Sequence, residues 1–253
     1  MSVVKAYEPD RSIVGKVRRR LVRLYQRRAA RDSRVARPRL SITFDDAPLS
    51  AATEGARILN ERGAKGTFFI SGGLMGATGP MGLYCDWVDV QRLHAQGHEI
   101  GCHTFSHLDL GQADDAATRQ EIARNREALI ERGLPEPETF AYPYGDVSPE
   151  PKLALAGQFK LSRALHFGLI ERGADLNQAP SVGVEGPGAE QIALTWLRRA
   201  ALRKSWLILN THDIAPGPSQ WGCTPEAMEG LVDEALRLGF EIITVAEGAK
   251  LVA

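Results

Sequence analysis

From residue 40 to residue 244 the chain alternates: a short apolar run, a longer stretch with helical spacing, then another apolar run. Residues 40–44, 66–70, 99–102, 139–142, 160–164, 206–210 and 241–244 read as strands. Between them, 51–62, 87–96, 116–132, 149–156, 191–203 and 225–238 read as helices, and Gly63, Gly97, Gly133 and Gly239 stop four of these. Strands separated by helices demand a mostly parallel sheet with the helices outside. For a chain of 253 residues the economical solution is an α/β fold: a distorted (β/α) barrel of about seven or eight strands. An open doubly wound sheet would want a glycine-rich loop after its first strand, and the FDDAPLS segment at 44–50 is not one. The stretch 171–188, rich in Gly and Pro, breaks the alternation, so closure is expected to be irregular there.

Charge is distributed unevenly. The 31 Lys/Arg and 31 Asp/Glu cancel overall, but residues 1–39 hold 13 and 3 of them, and residues 40–253 hold 18 and 28. The first part therefore carries +10 and the second −10. This suggests an arm, residues 1–38, attached to a body, residues 39–253. The arm reads as a basic amphipathic helix. Val14, Val17, Leu21, Leu24 and Tyr25 fall on one stripe, and Arg18, Arg19, Arg20, Arg23, Arg27 and Arg28 fill much of the rest. The stripe is expected to pack on the acidic body or on a second copy in a homodimer. The competing expectation is that residues 11–37 lie on an anionic membrane. Nucleic acid is disfavoured, because the body is acidic and shows no recognition motif. Arginines recur where a secretory signal needs an apolar core, so a cytoplasmic protein, at the inner face of a membrane, is expected. Cys85, Cys102 and Cys223 are odd in number and widely spaced, which fits neither a disulfide framework nor a CxxC metal site.

The chemistry-bearing residues follow the expected strands: Asp45 and Asp46, His103 with His107, Tyr144, and His212. In a parallel barrel all C-terminal strand ends share one rim, so these four points can converge. His103 and His107, four apart, suit two ligands of one ion on one helical turn. Asp46 supplies an anionic third ligand and leaves a position open for water. Asp45 stays unliganded as a base; the plainer alternative is that the pair caps the helix starting near Ser50. His212 follows the most apolar strand and reads as a general acid for a leaving amine, with Asp213 beside it. His98, Glu99 and Cys102 read as structural, His94 and His166 as surface or satisfied, and Trp87, Trp196 and Trp206 as core or arm contacts.

The motifs TFDD at 43–46, HTFSH at 103–107 and YPYG at 142–145, with the strand leading to His212, resemble the carbohydrate esterase family 4, or NodB-type, polysaccharide deacetylases over roughly residues 40–250. The resemblance implies a NodB-type barrel that removes acetyl groups from N-acetylglucosamine units of a polysaccharide or oligosaccharide. It implies Zn2+, or another divalent ion such as Co2+, on Asp46, His103 and His107, with Asp45 as base and His212 as acid. Tyr144 would donate its backbone N–H to the oxyanion, and Pro143 and Tyr144 would contact substrate. A bacterial exopolysaccharide, such as an adhesive holdfast, is the suspected substrate. Two departures stand out. The Arg that opens the family's third motif is Ala141 here, and Arg163 is the candidate replacement. The fourth motif, Asp-x-x-Asp-Trp, has no match; Trp221 would supply its aromatic wall and Asp175 its partner for His212. The rivals are hydrolysis of another amide (a cyclic imide or a peptidoglycan sugar), a non-catalytic sugar-binding relative, and a membrane-bound scaffold.

Overall fold

A computed structural model of the chain describes residues 13–31 and 37–252, with the side chains of Ile13, Val14 and Lys16 outside the description. The expectations for residues 1–12 and 32–36 of the arm lie outside the described residues, as does the place of Val14 in the apolar stripe.

A basic helix, α1 (Ile13–Val22), precedes the first strand, β1 (Arg39–Asp45). A π-helical turn, Ala51–Gly55, leads into α2 (Ala56–Glu61), and β2 (Thr67–Ile70) follows. A single α-helix was expected over 51–62. The wider π turn instead seats Gly55 against the Phe44 ring, where a Cβ would lie 2.9 Å from the ring edge. Next come a short hairpin, β3 (Thr78–Gly79) with β4 (Gly82–Leu83), then α3 (Trp87–Ala95) and β5 (Glu99–Cys102). The chain continues through α4 (Asp115–Ile130), β6 (Thr139–Ala141), α5 (Pro149–Leu155) and β7 (Leu161–Arg163). It ends with β8 (Val182–Gly183), α6 (Ala189–Arg203), β9 (Trp206–Thr211), α7 (Pro225–Arg237), β10 (Glu241–Ile242) and α8 (Val245–Val252).

The main sheet is parallel throughout, in the order β7-β6-β5-β2-β1-β9-β8, with β10 pairing the start of β1. The expected irregular stretch closes the ring. Ala179 bridges Arg163 of β7, and three residues later β8 pairs β9. One non-regular segment therefore spans both edges, which is the distortion of this barrel.

Alternation along β1 separates the two layers. Leu40, Ile42 and Phe44 join the outer core with Ile58, Leu59, Val90, Leu197 and Leu231 of the surrounding helices. Ser41, Thr43 and Asp45, also buried, occupy the alternate positions. A second cluster gathers Phe69, Ala141, Leu161, Trp206 and Ile208 with Val245, Ala249 and Val252 of α8. Gly248 lets α8 close on Trp206, whose ring lies 2.3 Å from where a Cβ would sit. His98 is structural as expected: its Nδ1 accepts the Gly66 N–H at 3.0 Å. Glu99 accepts from Thr67 Oγ1 and the Ala246 N–H, both at 2.8 Å, and from Thr139.

The arm packs on its own body, but not through the expected stripe. Gly15 and Val22 are buried, whereas Val17 and Leu21 are exposed, and the helix stops at Val22, so Leu24 and Tyr25 of the expected stripe lie exposed in the turn beyond it. Beyond α1, Ala29 bridges Asp175 in antiparallel fashion, and the Ala30 N–H donates to Ala174 O at 2.7 Å. Lys152, wholly buried, donates from Nζ to Val22 O (2.9 Å), Asp175 Oδ2 (2.7 Å) and Gln178 Oε1 (3.0 Å).

Candidate active site

The rim at the C-terminal strand ends collects the expected residues. Asp46, just past β1, faces His103, just past β5, and His107 in the loop beyond. Asp46 Oδ1 lies 3.6 Å from His103 Nε2 and 3.4 Å from His107 Nε2. The three ligand atoms all lie within 4.8 Å of one another. These separations are too long for hydrogen bonds, and Asp46 Oδ1 is buried with no hydrogen-bond partner. They do suit a shared cation: two ligands about 2.1 Å from one tetrahedral centre lie about 3.4 Å apart. Burial pushes both imidazoles down to about 4, so they are neutral and ligand-ready at neutral pH. Burial also pushes the Asp46 carboxyl up, a cost that a cation would offset.

The ligands are held from behind. His103 Nδ1 lies 2.8 Å from the Ala141 carbonyl. A carbonyl can only accept, so the proton sits on Nδ1 and the Nε2 lone pair points at the site. The HTFSH segment is not the helical turn that its spacing suggested. Thr104 (φ 60°) and His107 (φ 59°) are left-handed, and the loop is fastened by Glu121 of α4. Glu121 Oε2 accepts the Phe105 N–H (3.0 Å), the Ser106 N–H (2.7 Å) and Ser106 Oγ (3.0 Å). Asp46, Ala47 and Tyr144 have φ of 59°, 50° and 59°. Among the described residues, five of the seven non-glycine positions with positive φ are thus in these rim loops. Backbone strain of this kind persists only where surrounding contacts enforce it, and it clusters at working sites.

Asp45 is kept away from the ligand set. Both its oxygens accept from Arg163 Nη2, and both residues are buried. Burial alone would raise the Asp45 carboxyl; the Arg163 guanidinium, aided by His103 and His212, outweighs it and holds the group below the usual carboxylate range. The helix-cap alternative fails: the segment starting at Ala51 has Ser50 at its cap with no side-chain bond, and Asp45 is engaged elsewhere. Arg163 is the register partner of Ala141 across the β6–β7 pair. The guanidinium therefore enters from the strand beside the one where the resemblance places it.

Tyr144 follows Pro143, and its ring stands edge-on to His107 with centroids 4.4 Å apart. His212 follows β9, with Nδ1 3.2 Å from Trp221 O and 3.6 Å from Glu185 Oε1. Trp221 thus meets His212 through its backbone, and the indole is partly exposed. Asp175 is not the partner of His212. It is committed to Lys152 and to the Arg28 and Asn177 N–H groups. Asp213 does not serve either, since its carboxylate takes Ser219 N and Oγ and so folds the 213–219 loop. The carboxylate that faces His212 is Glu185, which also accepts from Asn210 Nδ2 at 2.7 Å. Sequence reasoning missed Glu185 and Glu121: one lies in a stretch without periodicity, the other among many charges on a long helix. Cys102 is a buried apolar residue as expected, with Sγ 3.1 Å from Asn125 Nδ2.

The family profile of the polysaccharide deacetylases matches residues 32–161. The chain belongs to that family. Among relatives of this deacetylase-family chain, a chitooligosaccharide deacetylase of Rhizobium leguminosarum bv. phaseoli is 28% identical over 213 residues, covering 82% of this chain and 78% of that one. A chitin deacetylase of Pestalotiopsis sp is 36% identical over 89 residues, 35% of this chain and 28% of that one. The chain thus spans under a third of the fungal protein and most of the rhizobial one. The chitin deacetylase structure from Colletotrichum lindemuthianum superposes with a TM-score of 0.62 at 18% identity, covering 85% of this chain and 89% of that one. A family 4 acetyl xylan esterase from Clostridium thermocellum, solved with a cobalt ion, gives 0.59 at 22% identity, covering 84% and 90%. At these identities the structural likeness concerns the fold.

Proposed function

We propose that this polysaccharide deacetylase is a divalent-metal-dependent hydrolase that removes N-acetyl groups from an N-acetylglucosamine-containing glycan. The observation that carries the reading is the division of labour between adjacent carboxylates. Asp46 faces two neutral imidazoles, and Asp45 is held off them by Arg163. Asp46, His103 and His107 would hold the ion, with Zn2+ or Co2+ suited to two nitrogens and one oxygen. Such an ion supplies Lewis acidity, making a water acidic enough to lose its proton near neutral pH.

The protein's own residues then account for the proton movements. Asp45, ionised throughout the working range, accepts a proton from the attacking water as the water oxygen bonds to the acetyl carbon. The Tyr144 backbone N–H stabilises the oxyanion, a type of contact worth about 2.7–4 kcal/mol. His212, with Nδ1 on the Trp221 carbonyl and facing Glu185, gives its proton to the sugar nitrogen as the C–N bond breaks. The products are acetate and a free amine. Pro143, Tyr144 and Trp221 border the acetyl end of the substrate, and Arg163 positions Asp45. The names of the rhizobial and fungal relatives support an acetylated chitin-like glycan.

The test is acetate release from chitooligosaccharides by the full chain. Release that stops with a chelator and returns with Zn2+ or Co2+ is expected. Release unaffected by the chelator, or none from any acetylated glycan in the presence of metal, would count against the proposal.

A further inference from the structure

The basic helix α1 leaves its apolar stripe uncovered. Helices of soluble domains normally turn such a stripe inward. Here Gly15 and Val22, on another edge, face the body, while Val17 and Leu21 of the helix and Leu24 and Tyr25 of the turn that follows it are 49%, 61%, 68% and 40% exposed. The helix is not loosely attached. Lys152 Nζ grips Val22 O at 2.9 Å, and Arg28 Nη2 donates to Phe159 O at 2.9 Å. The stripe is therefore presented outward in a fixed orientation.

Its surroundings define the chemistry of what covers it. Residues 13–31 contain eight Lys/Arg and no Asp/Glu, and Arg18, Arg20 and Arg23 are exposed beside the stripe. An apolar strip a few side chains wide, flanked by guanidiniums, matches the boundary between anionic headgroups and acyl chains. A second copy docked stripe to stripe would set arginines against arginines, which like-charge repulsion disfavours. The chain's own acidic body is adjacent, yet it takes the other edge of the helix.

We propose that α1 and the turn after it form a docking surface for an anionic phospholipid bilayer, with Val17, Leu21, Leu24 and Tyr25 entering the interface and the arginines meeting the headgroups. Arg19 Nη1 lies 3.9 Å from Asp146 Oδ2, and Asp146 is two residues past Tyr144. The docking helix therefore flanks the rim that carries the candidate site, and docking brings that rim to the membrane surface. This inference is independent of the hydrolytic reading, since it rests on the arm, residues 13–31.

The experiment is co-sedimentation of the full chain with vesicles of phosphatidylcholine, with and without about 30% phosphatidylglycerol, at low and high salt. The expected result is pelleting with the anionic vesicles only, reversed by salt. The double variant Leu21→Gln, Leu24→Gln should pellet at least about tenfold less, with an unchanged thermal transition. Equal pelleting with neutral vesicles, no pelleting with either, or a double variant that pellets like the parent overturns the proposal. Light scattering that shows a dimer abolished by the double variant, without vesicle binding, assigns the stripe to a second copy and also overturns it.

Discussion

Two buried ion pairs sit in one barrel and do opposite things. Lys152–Asp175 is saturated: the ammonium spends its three protons on Val22 O, Asp175 and Gln178, and Asp175 takes two backbone N–H groups besides. Arg163–Asp45 is not. Arg163 Nε and Nη1 are buried with no hydrogen-bond partner, and Asp45 stands beside an Asp-His-His cluster. A saturated pair has no capacity left and serves architecture, here the seam between α1, α5 and the closing segment. An unsaturated pair keeps a reactive carboxylate ionised inside a site. Buried polar groups are normally satisfied, so the exceptions point toward function.

Variants that exchange these roles would break the comparison. Asp45→Asn should lower acetate release about 10²–10⁴-fold without unfolding the chain, as loss of a general base does; a variant retaining most turnover would remove Asp45 from the reaction. Lys152→Met should leave turnover per folded molecule intact but cost about 3–5 kcal/mol of stability, because Asp175 stays buried without its cation. In a chain of this size that lowers the thermal midpoint by about 10 °C. An unshifted melt would show that the arm seam does not need the pair.

Arg163→Gln tests the pair through pH. Arg163 lowers the Asp45 carboxyl, so without it the Asp45 proton binds at higher pH. The acid limb of kcat/KM should therefore move upward, by about one to three units for loss of a close opposite charge. A limb that stays in place, or moves down, contradicts the role given to Arg163. Glu185→Gln should have the smallest effect, a roughly tenfold to hundredfold loss of rate typical of a group that acts through another, here a charge facing His212, with metal content unchanged. Loss of metal in that variant would place Glu185 in the ligand network instead of behind His212.

The parts legible in the sequence were those with period or punctuation. The strand–helix alternation and its stopping glycines located most of the barrel, and the rim residues followed because strand ends share one face. Arg163 was legible because it ends the strand after YPYG, although its pairing with Ala141 needed the register. The β3–β4 hairpin was not, since strands of two residues carry no alternation. α8 was missed despite a signal at its start: Thr244 and Glu247 form a reciprocal cap, with Thr244 N to Glu247 Oε2 at 2.8 Å and Glu247 N to Thr244 Oγ1 at 3.3 Å. The apolar stripe of α1 was legible, but the direction it faces was not. Periodicity shows that a helix has an apolar side, and only packing decides which edge the body takes.

The central claim is that Asp46, not its neighbour, joins His103 and His107 around one cation. Titration of metal-free protein with Zn2+, read by calorimetry on the parent, Asp45→Asn and Asp46→Asn, tests it directly. Tight binding of one equivalent by the parent and by Asp45→Asn, with binding lost in Asp46→Asn, is the predicted result. Undiminished binding by Asp46→Asn, or its loss in Asp45→Asn alone, would contradict the assignment.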